Sequence, residues 1–269
     1  MVQRELRKNF RSVKGIALLI ISLLGGGAFA LINAIGQKMK RAELGEIPHE
    51  ELRALREKGF SKFYNEEIGK FLSDTPEVLW VVLMITIFCS PLLVAIMGFD
   101  GISGERQHRS VRFWAVRARR SSYFLAKFFG LTATVSLVFL IMHAVIWVVL
   151  MAGGVAPAGT VLNWGIRFWL TSIPIVAAWS ALATFLGSLF KTPIVSLLVI
   201  CSSTFVLFVI RLIGGAAEIP ALTWVYPNKY DDLLLHPNPQ TAGLGLGGLL
   251  LFALIFTGAG TALFTKRDV

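Results

Sequence analysis

The chain has 269 residues, 55% of them hydrophobic and only 16% charged, where a soluble domain of this size carries about a quarter charged residues. The deficit is concentrated in long apolar runs, which excludes an ordinary soluble enzyme and points to an all-α integral membrane protein. A net charge of +10 would suggest nucleic acid in a soluble protein. Here basic residues gathering on the cytoplasmic side of a membrane explain the sign, and no nucleic-acid partner is expected.

Residues 1–14 form a first unit. Val2, Leu6, Phe10 and Val13 recur at helical spacing and share one face, with Arg4, Arg7, Lys8, Arg11 and Lys14 on the others. Such a stretch reads as an amphipathic helix lying in the membrane interface, drawn to anionic lipid headgroups. A disordered basic tail is the plain alternative.

A helix rises about 1.5 Å per residue and the hydrocarbon core is about 30 Å thick, so about 20 apolar residues cross it. Six stretches within residues 15–269 qualify: about 15–36, 78–99, 124–151, 167–190, 193–213 and 242–264. The first carries Ala28-Phe29-Ala30, similar to a signal-peptide cleavage site, but its apolar run exceeds the 7–15 residues usual there. It is expected to stay as a span. With both termini inside, 15 of the 26 basic residues face the cytoplasm against 4 acids, and this asymmetry predicts the N-in/C-in orientation.

Residues 37–77 make an outer loop of nearly balanced charge. Pro48-His49-Glu50-Glu51 reads as a helix start, with acids at the positive end of the dipole. Gly59 is expected to interrupt that helix, and Phe60, Tyr64, Ile68 and Phe71 form a second stripe. Asp74-Thr75-Pro76-Glu77 resembles a capping box opening the second span. The whole predicts a helical hairpin on the outer surface, with a solvated linker as the alternative.

The loop at 100–121 is too long for a simple turn. Ser103 is placed to cap a helix running through Trp114, presenting Glu105, Arg106, Arg109 and Arg112 to the cytoplasm. A basic loop pinned to lipid headgroups is the other reading. Lys127 sits at the start of the third span, where its stem can snorkel to the interface, and His143 lies deep within that span. Arg167 opens the fourth span and Arg211 lies near the outer end of the fifth. These three are candidate transport-path residues, set against a satisfied imidazole and two snorkelling arginines. Residues 214–241 are rich in Gly and Pro and carry Trp224, Tyr226 and Tyr230. They predict an extracytoplasmic or re-entrant segment that dips into the outer leaflet. Gly243 and Gly247 form a G-x-x-x-G suited to close helix approach.

The chemistry-bearing motifs of several enzyme classes are missing from the sequence. It contains no H-E-x-x-H, no G-x-S-x-G, no G-x-x-x-x-G-K-[ST] phosphate loop and no Asp or Glu within a span. Cys89 and Cys201 stand alone in apolar runs, with no metal-ligand spacing. The chain is therefore expected not to be an enzyme and to hold no cofactor or metal. If ATP is used, another chain must bind it. A transporter or channel needing no ATPase and a membrane scaffold remain open on these residues alone.

The loop after the second span resembles that of permeases of type-2 ABC exporters. In that family the second span ends in an Asp, followed by a Ser-rich turn and a Glu-Arg-Glu-x-Gly-Thr-Leu stretch. A Pro-x-x-Arg follows, and a Lys opens the third span. This chain has Asp100, Ser103, Glu105, Arg106, Ser110 in place of Thr, Val111 in place of Leu, Arg120 and Lys127 at matching offsets. The finish Phe264-Thr265-Lys266-Arg267-Asp268-Val269, the amphipathic start and the Pro227/Tyr230 stretch are similar as well. Gln107, Arg109 and Arg117 depart from the pattern and make the loop more basic.

The resemblance implies a six-span permease subunit of a prokaryotic cytoplasmic-membrane exporter. Its partners would be two cytoplasmic ABC ATPase subunits, which bind the ATP and Mg, and a second permease subunit, identical or homologous. It also implies that a cytoplasmic coupling helix with Ser103, Gly104, Glu105, Arg106, Arg109, Ser110 and Arg112 contacts the ATPase.

Overall fold

A computed structural model describes residues 1–44, 49–108 and 119–266. Among them the secondary structure is helical throughout. The helices are α1 Val2–Arg11, α2 Val13–Leu44, α3 His49–Phe60, α4 Glu66–Leu72, α5 Glu77–Gly98 and α6 Ser103–Gln107. They continue as α7 Arg120–Ala152, α8 Ala158–Leu189, α9 Pro193–Ala216, α10 Pro220–Thr223, α11 Asp231–Leu234 and α12 Pro239–Lys266, with a 3-10 turn at Pro227–Tyr230. Six of them, α2, α5, α7, α8, α9 and α12, are long and apolar enough to cross a membrane.

The spans match the sequence in number and order but not in length. α2 continues to Leu44, α7 begins at Arg120 and α8 begins at Ala158. Hydropathy marks only the apolar stretch, whereas the Gln, Lys, Arg and Glu that follow the first span are good helix formers and carry α2 past it. α8 is the central rod, with Phe168, Ile175, Val176 and Ala178 fully buried and Trp179 2% exposed. α5, α7 and α12 pack around it. α9 buries only Ser196, Ile200 and Gly214.

Within the segment 37–77, α2 continues to Leu44, and α3 and α4 follow as two short helices packed on one another. Helix α3 begins at His49 with Glu50 and Glu51 in its first turn, and runs through Gly59 to Phe60 without interruption. The aromatic stripe turns inward: Phe60 and Ile68 are buried, and Phe60 meets Trp80 edge-on at 5.3 Å. The capping box does not form. Pro76 occupies the N-cap without a side-chain bond, and Thr75 Oγ1 is buried without a partner. Asp74 and Glu77 instead pair with Arg53 (3.2 Å) and Arg56 (3.7 Å) of α3, so the acids serve the hairpin rather than the helix start.

Residues 217–238 fold back against the bundle. Asn228 ties this segment to two of the spans. Its Nδ2 donates to Ile87 O at 2.8 Å, and its Oδ1 accepts from Trp179 Nε1 at 2.7 Å. Ile87 lies ten residues into α5, about 15 Å along its axis. The acceptor has a local cause. Pro91 lies inside α5 and lacks the N–H that would satisfy the carbonyl four residues earlier. Asn228 and the Ser90 hydroxyl (2.8 Å) take up the freed Ile87 oxygen.

Glycines on α12 admit this segment, but not the expected pair. Nothing lies within 4 Å of a Cβ built at Gly243 or Gly247. At Gly248 a Cβ would stand 2.2 Å from Tyr230 Cε1, and at Gly245 2.7 Å from Leu233 Cβ. Gly248→Val is therefore expected to lower stability by about 1–3 kcal/mol through overpacking. Gly243→Val and Gly247→Val should leave the melting temperature of the detergent-solubilised protein nearly unchanged.

Candidate functional site

The end of the bundle that carries α1 and α6 gathers the chain's densest polar contacts. Helix α1 stops at Ser12, whose hydroxyl donates to Asn9 O (2.6 Å) and accepts from Gly15 N (3.0 Å). A Cβ at Gly15 would sit 2.0 Å from Asn9 O, so glycine is what permits so sharp a turn into α2. The turn lays α1 against α7. Gly130 provides the groove, since a Cβ there would come within 2.7 Å of Glu5 Cβ.

The buried face of α1 is polar. Val2, Leu6 and Phe10 are half-buried, and Val13, 84% exposed, belongs to α2. Glu5 is the residue that α1 buries. Lys127 Nζ of α7 donates to Glu5 Oε2 at 2.8 Å and to Glu105 Oε1 of α6 at 2.6 Å. Glu105 also accepts from Lys8 Nζ at 2.7 Å and from the Tyr123 hydroxyl at 2.7 Å. Asn9 Nδ2 donates to Thr134 Oγ1 at 3.0 Å. Two ammonium groups and two carboxylates thus meet in one neutral cluster, the arrangement that buried charge requires.

Burial pushes the Glu105 carboxyl up, but Lys127, Lys8 and Tyr123 outweigh it and hold it down at about 2. Burial lowers the Lys8 ammonium, yet its hydrogen bond to Glu105 and the surrounding carboxylates raise it overall. Both groups are charged at neutral pH.

Neighbouring contacts widen the joint. Lys14 Nζ pairs with Asp100 Oδ1 at 2.6 Å and lies 4.3 Å from the centre of the Phe99 ring. Arg106 donates to Ser188 O at 2.6 Å, reaching the last turn of α8. Arg120 donates to Thr265 O of α12 at 3.1 Å. Helix α6 is therefore fastened to α1, α7 and α8.

The site residues expected from the sequence fall into three groups. Ser103, Gly104, Glu105 and Arg106 come together on α6. Ser103 does not cap that helix: Ile102 is the N-cap, and the Ser103 hydroxyl donates back to Phe99 O. Ser103 and Glu105 are buried, while Gln107 and His108 are exposed. The helix described is Ser103–Gln107; Arg109, Ser110, Arg112 and the stretch through Trp114 lie outside the described residues. The third group does not assemble. His143 is 1% exposed, with Nε2 2.9 Å from Thr86 Oγ1 of α5. Arg167 stacks on Phe71 of α4 at 4.4 Å, and Arg211 lies 5.4 Å from the Tyr226 ring.

Sequence reading missed Glu5, Tyr123 and the buried role of Lys127. Glu5 was detectable as the one acid in a basic stretch of 14 residues. Lys127 was visible as a charge at a span's start, but nothing local names its partners.

The sequence model of a family described as "ABC-2 family transporter protein" matches residues 1–269. No curated protein matches the chain.

Proposed function

The chain belongs to the ABC-2 transporter family, and from that membership we propose that it is the permease subunit of an ATP-driven exporter, powered by separate cytoplasmic ATPase subunits. In this reading two ATPases dock beneath a pair of permeases, identical or homologous, in a prokaryotic cytoplasmic membrane. The orientation is N-in/C-in, following the excess of basic residues on the α1–α6 side. ATP and Mg belong to the ATPase, and this chain contributes the path.

The observation that carries the reading is the Glu5–Lys127–Glu105 cluster, which binds α6 to a membrane-crossing rod at 2.6 Å and α1 to the same rod at 2.8 Å. An ATPase closing against α6 moves a helix that cannot slip relative to α7, and its Arg106 clasp on Ser188 O draws α8 along. ATP shifts the population of permease states only through contacts that differ between those states. A joint with no slack is what allows a difference at α6 to reach the spans. In this arrangement Glu105 positions α6 from within, and Gln107, His108 and the following basic residues meet the ATPase.

The test is co-expression with the ATPase subunit, followed by purification and assay of stimulated ATP hydrolysis and transport in vesicles. The charge-reversed variant carrying Glu105→Lys and Arg106→Glu should lose stimulation and transport. A chain that captures no Walker-motif subunit, or a reversed variant with undiminished coupling, would refute the proposal.

A further inference from the structure

The Arg167 side chain has no ion pair or hydrogen bond among the described residues, although it lies within a membrane-crossing helix. Its guanidinium carbon stands 4.4 Å from the centre of the Phe71 ring and 5.7 Å from that of Trp164. This stacking holds the plane in place and leaves the N–H edges for another acceptor. Trp164 is buried, and Phe71 belongs to α4 of the hairpin, so the platform is part of the fold.

The surroundings say which acceptor. Leu162, Ile166 and Leu170, on the adjoining strip of α8, are 40%, 45% and 51% exposed. In a membrane-crossing helix such a strip faces acyl chains, so Arg167 lies at the seam between that strip and the hairpin. Its depth fits as well. Leu189 ends α8 22 residues after Arg167, about 33 Å along the axis, close to the hydrocarbon thickness of about 30 Å. The guanidinium therefore lies at the level of the phosphate and glycerol groups, in the leaflet on the hairpin side. At that level the guanidinium is within reach of lipid phosphates, and a phosphate offers it the charged partner that the described residues do not.

We propose that Arg167, stacked on Phe71 and Trp164, is a binding site for the phosphodiester of an anionic glycerophospholipid in the hairpin-side leaflet. The fork geometry of arginine matches two phosphate oxygens. The acyl chains would run inward from Arg167, past the exposed Leu170. A free phosphate offers the same oxygens without the chains.

The test uses the full-length protein in vesicles containing photoactivatable phosphatidylglycerol or phosphatidylcholine with identical acyl chains. Cross-links are mapped by mass spectrometry to residues 159–171. Phosphatidylglycerol should label this stretch in preference to phosphatidylcholine. Arg167→Gln should reduce that labelling at least about fivefold, and Phe71→Leu, which keeps the charge and removes the platform, about twofold to threefold. Labelling elsewhere on the chain serves as the internal standard. Equal labelling by both lipids, or undiminished labelling of the Arg167→Gln protein, overturns the proposal. If Arg167→Gln does not fold, undiminished labelling of Phe71→Leu overturns it. Displacement of the lipid by millimolar inorganic phosphate shows a free-anion site and overturns the lipid assignment.

Discussion

Lys127→Met is expected to destabilise the protein by about 3–5 kcal/mol, the usual cost of removing one partner from a buried ion pair. The Lys127 side chain is 5% exposed, between Glu5 at 8% and Glu105 at 9%. Glu105 would keep Lys8 and Tyr123. Glu5 would lose the ammonium that faces it and could be relieved only by taking up a proton or by moving α1 away from Gly130. Adding Glu5→Gln to Lys127→Met removes the stranded charge, so the double variant should recover much of the loss. Thermal unfolding in detergent, compared across the two single variants and the double, measures the coupling. A cost below about 1 kcal/mol for Lys127→Met would mean that the cluster does not hold the joint.

Asn228→Leu is expected to cost about 2–4 kcal/mol, because it keeps the branched shape while leaving two buried groups short of partners. The Trp179 indole N–H loses its 2.7 Å acceptor, and Ile87 O retains only the Ser90 hydroxyl. No helical N–H can replace the loss, since Pro91 stands where that donor would be. The effect should appear locally as well as in the melting temperature. Leu235, fully buried at the far end of the segment, offers a reporter. A cysteine introduced by Leu235→Cys should be slow toward a membrane-permeant maleimide in the parent and fast in the Asn228→Leu background. Equal rates would show that Asn228 does not anchor the segment.

The sequence made the membrane plan legible because each span satisfies a local requirement, an apolar stretch long enough to cross. A helix at the start of the chain was also legible, yet its buried residue was not. Val2, Leu6 and Phe10 carry a hydropathy signal, whereas Glu5 is buried because Lys127, 122 positions away, neutralises it. Local periodicity cannot report such a pairing. The glycines show the same limit. Gly243 and Gly247 have the spacing of a helix-packing motif, but the face of α12 that is crowded is set by the returning segment, which lodges Tyr230 and Leu233 against Gly248 and Gly245. The expected caps at Ser103 and Asp74 failed because nearer partners, Phe99 O and Arg53, claimed those side chains.

Glu105 sets how the joint responds to its surroundings. A carboxyl depressed from 4.5 to about 2 contributes stability that is complete above its unfolded value and is lost only as the pH falls through the window between the two. No plausible acidification inside a cell reaches that window, so this contact works as a rivet and not as a proton sensor. Protonation of Glu105 therefore does not set the timing of movement at α6.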